Sequence, residues 1–589
     1  MPRGPTMLDP LTIKAALGEV KADLVVKQGT LVNVYTGEIL EGIDVAIKAS
    51  KIVYMGPNAS HTVGSETKLI DAEGMYVVPG FIDAHTHIDL YCTPAEQSKA
   101  ALIHGTTTLF AEPDQLANVL GFEGLKLFAE MIRQLPIKVY MLVPLVCPQD
   151  PLFDETHSLK PEEVEEALRW DYVVGLGEVV GWLRLLAGDK DYETKITIAQ
   201  RIGKIIEGHS AGAKGMKLQA YVAAGINSCH EAINADEALE RARLGVHVMV
   251  REGSLRQDLA NVLPGLIMEN INLCAVSLVT DIMDPEDLRE LGYMDHVVRK
   301  AIELGVDPVR AIMMVTINPA RRFRLDHEIG GIGPGKEADL VLLENLREVK
   351  VRVTISKGKV AAKDGEVLVE AAPITYPPYA FDTVKVGRAM LPEDFKIKVG
   401  KEGEVKVRVM KLMNEAINKL SIEELPVRRG EVKLPPGYLK VAVIDRHWET
   451  GKIALGIMEG FGAEVGGLAS TLNFDENNLV VLGKLEEDMS IAANRIAELR
   501  GGIVIVDGGT VVYELPMPLA GVMSLDSLDS VSRRLKEMNS YLRGKGSKLK
   551  KPLNVMAFIT FVTLPEIRLC PKGLVDVKQR KLVPLIIED

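Results

Sequence analysis

Cysteine is scarce in this 589-residue chain. The five present, Cys92, Cys147, Cys229, Cys274 and Cys570, are scattered, odd in number and form no C-x-x-C. Neither a disulfide framework nor a thiolate zinc site is indicated, and a reducing cytoplasm is the expected compartment. Long apolar runs are missing too: no stretch approaches the roughly 20 uninterrupted apolar residues of a membrane helix. The opening "MPRGPTMLDPLTIKAALGEVKADLVVKQG" lacks the apolar core of a signal peptide. There is no long basic stripe, and the net charge is -12, so neither nucleic acid nor a membrane is an expected partner.

What is present reads as a globular protein, with 47% hydrophobic and 25% charged residues. Its length exceeds what one core organises, so several domains are expected. Residues 22–72 alternate apolar and polar residues in short runs with Gly turns, the texture of a small antiparallel β module, and the texture returns in "GKEADLVLLENLREVKVRVTISKGKVAAKDGEVL". The chain is therefore expected to start a small β-sandwich-like module in residues 1–78 and complete it in 335–385.

Between these halves, in residues 79–334, apolar runs such as "TTTLFAE", "IKVYMLVPL", "VVGLGEVV", "HVMVREGS" and "NLCAVSLVTD" alternate with helical stretches. Among the latter are "EGLKLFAEMIRQL", "PEEVEEALRW" and "YETKITIAQRIGKIIEG". Repeated β–α units over this length predict an α/β fold, a (β/α)8 barrel. Residues 386–435, rich in Lys, Glu and Pro, read as a linker, and 436–589 as a C-terminal α+β domain.

Barrel chemistry sits where strands end, and that rule singles out particular side chains. In "FIDAHTHIDL", His85 and His87 lie one residue apart and so share one face of an extended strand. An H-x-H pair is common enough by chance that it needs partners. Glu178 in "GLGEVV", His209 in "IEGHSAG", His230 in "NSCHEAI" and Asp281 in "SLVTDIM" all fall at or near predicted strand ends. One shared mouth could gather all six. Glu231, next to His230, could meet substrate, orient a ligand or be a structural acid; Arg251, Glu252 and Ser254 could line the pocket. His104 precedes a strand and reads as structural, and Cys229 has no partners for a nucleophile triad.

With these stretches in view, together with "HGTTTLFAEPDQLANVLG", "LQAYVAAGINSCHE", "VAVIDRH", "GGIVIVDGG" and "LPMPLAGVM", the chain resembles the amidohydrolase superfamily. Within it the chain is similar to the adenine deaminase family over nearly its full length. The resemblance implies that His85, His87, His209, His230 and Asp281 are metal ligands and that Glu178 bridges. It implies a divalent transition metal, two per chain, manganese or iron with zinc as a further candidate. The implied reaction is attack of a metal-activated hydroxide on C6 of adenine, a small heterocyclic substrate, giving hypoxanthine and ammonia as in purine salvage. Asp281 would act as general base and then acid, with Glu231 as a second catalytic candidate. Homo-oligomerisation is also implied.

Departures from the family pattern cluster beside the ligands rather than at them. The usual H-I-E-S-S is replaced from His87 to Tyr91, D-P-H-E by Glu112 to Gln115, S-D-H-E by Ser228 to Glu231, and T-D-D by Thr280 to Ile282. In the third region H-D-S-H-N gives way to Phe474, Asp475, Glu476, Asn477 and Asn478. Polar groups that read a heterocycle govern selectivity, so another aminated purine, a cyclic amide, or a non-catalytic relative are the alternatives.

Overall fold

The computed structural model describes residues 9–588. Strands from two distant parts of the chain share a nine-stranded sheet. Leu340–Leu343 pairs antiparallel with Tyr76–Pro79, setting Leu340 opposite Pro79 and Leu343 opposite Tyr76. The sheet is mixed rather than purely antiparallel, since Leu24–Asn33 runs parallel to both Lys68–Asp71 and Tyr76–Pro79. Alternation along a strand reports which residues face the core and says nothing of the neighbour's direction.

Tyr76–Pro79 passes through Gly80 into Phe81–Thr86, the edge of a five-stranded parallel sheet. Its order continues through Thr106–Ala111, Lys138–Val143 and Val173–Val179 to Ile205–Gly208. A second parallel sheet holds Ser228–Cys229, His247–Arg251 and Val276–Val279. The two meet where Thr86 bridges Asp281: the His87 N–H donates to the Asp281 carbonyl at 2.9 Å and the Asp281 N–H to the His85 carbonyl at 3.0 Å. Phe81–Thr86, Thr106–Ala111 and Val276–Val279 are buried throughout, polar residues included, as strands covered on both faces are.

Helices cover these strands. Phe122–Arg133 buries Leu125, Leu127, Phe128, Met131 and Ile132, each worth about 1.5–3 kcal/mol when fully withdrawn from water. Lys190–Ile202 begins where the Asp189 carboxylate accepts from the backbone of Asp191 and Tyr192, and stops at Gly203, whose φ of 78° is left-handed. That stop corrects the sequence reading. The expected helix through "GKIIEG" is cut short, and Ile205–Gly208 is a strand delivering His209 from its end.

Residues 386–435 are not a linker. Gly403–Leu412 and Asn418–Arg428 form a hairpin within a ten-stranded sheet, and Gly403–Leu412 also pairs with Ile453–Glu459. In "EVKVRVMKL" Val405, Val407 and Val409 are buried while Glu404 and Lys406 face solvent, so a period-two strand was hidden by its charged composition. Helix Glu486–Leu499 covers the sheet through Met489, Ala492, Ala493 and Ile496.

The C-terminal region packs against the face where the parallel strands end. Met523–Ser524 pairs with Tyr91–Cys92, Lys551 reaches Asp284 and Asp287 at 2.6 and 2.7 Å, and Arg580 reaches Asp150 at 2.8 Å. No helix among the described residues is long and apolar enough to cross a membrane.

Candidate metal centre

Six side chains far apart in sequence meet at the C-terminal ends of the parallel strands. Glu178 lies at their middle and divides its carboxylate between two groups. Oε1 is 2.9 Å from His85 Nε2 and 3.3 Å from His87 Nε2; Oε2 touches His209 Nδ1 and is 3.3 Å from His230 Nε2. Asp281 closes the first group, its Oδ1 being 3.7 Å from His85 Nε2 and 3.5 Å from His87 Nε2. Ligand atoms of His85, His87, Glu178 and Asp281 lie within 4.8 Å of one another, as do those of Glu178, His209 and His230. The geometry is that of two adjoining donor sets sharing one carboxylate.

Whether a cation fits can be judged at His85. Its ring is fully buried and stacks on His230 with centroids 4.1 Å apart, yet neither nitrogen makes a hydrogen bond among the described residues, although Glu178 Oε1 is only 2.9 Å from Nε2. A buried polar atom without a partner is costly, and a lone pair aimed at a shared point beside a carboxylate is what a metal ligand requires. His87 is prepared differently. Its Nδ1–H donates to the Glu112 carbonyl at 2.9 Å, with Asp114 Oδ2 at 3.0 Å, which leaves Nε2 as the free lone pair facing Glu178.

The electrostatics agree. Burial works against protonation of His85, but Glu178 and Asp281 outweigh it and push the imidazole up to about 10; Glu231 and Glu178 carry His209 to about 9. Burial would raise Glu178, yet His230, His209 and His85 hold it well below the ordinary carboxylate range. Asp281 is likewise held low against burial, by His85, His87 and Arg251. The carboxylates demand positive charge at this point, and divalent cations would supply it in place of protons.

Supporting contacts fix the donors. Both oxygens of Glu112 accept from the Glu178 backbone N–H, at 3.0 and 2.9 Å, and its carboxylate fills the space over Gly177, where a Cβ would fall 1.9 Å from Oε1. Asp83 accepts from Thr280 Oγ1 at 2.5 Å and Tyr293 Oη at 2.8 Å, tying the first strand to the segment before Asp281. Asp281 itself has a φ of 63°, a left-handed conformation costing about 1–3 kcal/mol for a residue with a side chain, held by the bridge to Thr86.

Among the other sequence candidates, Glu231 belongs to the cluster. It pairs closely with Arg251 and lies 3.7 Å from His209 Nε2 and 3.6 Å from His230 Nε2; burial raises its pKa, but Arg251 outweighs this and holds it at about 2. Arg251 also reaches Asp281 Oδ2 at 3.3 Å and lines the cavity. Glu252 turns away to Lys300, and Ser254 Oγ accepts from the Asp284 backbone, so neither lines the cavity. His104 pairs with Asp295 at 3.1 Å, away from the cluster. Cys229 Sγ is buried and accepts from Ser210 and Glu231.

Sequence reasoning singled out Glu112, Asp114, Phe474 and Asp475 only as departures from the family pattern and gave none of them a place at the cavity. Glu112 and Asp114 directly follow Thr106–Ala111, so the strand-end rule could have placed them there. Phe474 and Asp475, with Phe558 and Phe561, arrive from the C-terminal region, and no local periodicity places them at the cavity.

Comparison with known proteins supplies a further observation. Residues 76–361 match the model of the amidohydrolase family, and residues 415–581 that of the adenine deaminase C-terminal domain. The chain is 38% identical to the adenine deaminase of Cenarchaeum symbiosum, over 97% of this chain and 94% of the relative. It is 39% identical to that of Moorella thermoacetica, over 98% and 97%. Among solved structures, one described as an adenine deaminase is 22% identical with a TM-score of 0.45, covering 58% of this chain and 99% of that one. A β-aspartyl dipeptidase from Fervidobacterium islandicum is 18% identical with a TM-score of 0.46, covering 60% and 100%.

Proposed function

The chain belongs to the adenine deaminase family of the amidohydrolases, and on that premise we propose that it hydrolyses adenine to hypoxanthine and ammonia at the cluster around Glu178. Within this proposal the two parallel sheets, joined at Thr86 and Asp281, close as a (β/α)8 barrel whose mouth is the site. His85, His87 and Asp281 would hold one divalent cation and His209 and His230 a second, with Glu178 between them. A cation bound there supplies a water acidified towards neutral pH and a positive charge beside the reacting carbon.

The protein's own groups account for the remaining chemistry. Asp281 is partly exposed to the cavity and stands at the edge of the first donor set, where its carboxylate takes a proton from the attacking water and delivers one to the departing amine. One water enters, the bond from C6 to the exocyclic nitrogen breaks, and ammonia leaves. Arg251 keeps both Glu231 and Asp281 ionised by presenting the same guanidinium nitrogen, Nη1, to both carboxylates. Glu231, beside His209 and His230, orients that half of the centre.

The carrying observation is the division of Glu178 between two imidazole pairs, supported by the names of full-length relatives. Manganese and iron, with zinc as a further candidate, suit imidazole and carboxylate donors, and availability selects among them. Self-association belongs to the same proposal and is read from the mass in solution. The test incubates the protein, loaded separately with manganese, iron and zinc, with purines, pyrimidines and cyclic amides. Ammonia and hypoxanthine from adenine are expected; turnover of a cyclic amide with none of adenine would replace the substrate and keep the site.

A further inference from the structure

The cavity over the metal centre is walled partly by the C-terminal region. Phe474 and Asp475, in the loop joining Gly467–Ser470 to Leu479–Gly483, share it with His87, Glu178 and Asp281, and so does Phe558. Phe474 and Phe558 are packed edge to face with ring centroids 5.5 Å apart. This wall is anchored on both sides. Asn477 Nδ2 donates to Gln115 Oε1 at 2.7 Å, and Thr560 Oγ1 lies 3.0 Å from both Asn473 Oδ1 and the Phe474 carbonyl.

Asp475 is the polar exception in an aromatic surface. Its Oδ2 accepts from Gln149 Nε2 at 2.7 Å, which orients the carboxyl, while Oδ1 makes no hydrogen bond among the described residues and the side chain opens on the cavity. A polar group preset in this way beside aromatic faces suits a flat heterocycle that presents one ring N–H at its edge. An aminated purine placed with C6 at the metal centre has its imidazole ring on the far side, where that N–H lies.

We propose that Asp475 is a specificity-determining residue that accepts a hydrogen bond from the imidazole-ring N–H of the purine, so that the C-terminal region completes the substrate site. This rests on the reading of the centre as a purine deaminase. It gives the C-terminal region a direct role in choosing the substrate and excludes purines alkylated at that nitrogen, because a buried acceptor left without its donor costs free energy.

The test uses the full chain, metal-loaded, as wild type, Asp475→Ala and Asp475→Asn, with adenine, 7-methyladenine and 9-methyladenine, and records metal content for each. In Asp475→Ala, KM for adenine is expected to rise at least tenfold with kcat within threefold and metal content unchanged. The wild-type preference for adenine over at least one methyladenine should fall at least tenfold. A KM within twofold of wild type in both variants, an unchanged preference, or loss of metal from the variants overturns the assignment. Absence of ammonia from adenine with the wild type overturns the deaminase reading and this assignment with it; an active wild type with indifferent variants overturns the assignment alone.

Discussion

Glu112 grips Glu178 by its backbone: both carboxylate oxygens accept from the one N–H, at 3.0 and 2.9 Å, directly over Gly177. The central carboxylate is thus set by a neighbour whose own carboxylate holds the Glu178 backbone while its carbonyl accepts from His87 Nδ1 at 2.9 Å. Gly177→Ala would drive a methyl group to 1.9 Å from Glu112 Oε1, so strand or carboxylate must shift. Loss of a contact that orients a ligand typically lowers metal affinity or activity by about 10- to 100-fold. Metal titration of Gly177→Ala should show a loss of that order, and wild-type affinity would remove Glu112 from this role.

Asp281→Asn isolates proton transfer from metal holding. Asparagine tolerates the left-handed φ of 63° as aspartate does, so the bridge to Thr86 is expected to persist. Turnover should fall by about 10²- to 10⁴-fold while metal content stays largely intact. Single-turnover kinetics with metal analysis on the same sample decides it; retained turnover removes Asp281 from its assigned role.

Metal binding should release protons. In the metal-free protein the carboxylates raise His85 to about 10 and His209 to about 9, so near pH 8 both rings carry protons that a cation must displace. Apparent affinity for Mn2+ should therefore rise with pH through this range. Calorimetric titration at pH 8 in two buffers of different ionisation enthalpy should give a net proton release, and equal heats in both would contradict it.

Away from the centre, His247 is buried with Nε2 2.8 Å from Ser277 Oγ; burial, with the Arg322 charge, lowers its pKa to about 3. Below the ordinary value near 6.5 the unfolded chain binds a proton that the folded protein refuses, so this stability is present above pH 6.5 and lost as pH falls towards 3. At pH 5 the loss is roughly 2 kcal/mol. Denaturant unfolding of wild type and His247→Gln at pH 7.5 and 5 should show the variant's pH dependence flatter by about that amount.

The legible part of the site was the part that sits on strands. His85 and His87 announce themselves because a strand puts alternate residues on one face, and Asp281 because it ends an apolar run. The surroundings of His209 were misread, since only Gly203 and Lys204 separate a helix from a four-residue strand. The hairpin Gly403–Arg428 escaped because its Lys and Glu residues dominate composition while its alternating valines bury. Phe474 and Asp475 reach the cavity through packing of the C-terminal region on the strand ends, a relation that no local periodicity carries.

The most direct measurement is anomalous diffraction at the manganese edge from crystals of the manganese-loaded protein. Two peaks are expected, one within ligand distance of His85, His87, Glu178 and Asp281 and one beside His209, His230 and Glu178. A map with no peak at Glu178, or with manganese bound only elsewhere, would contradict the central claim that these six side chains jointly hold the cations.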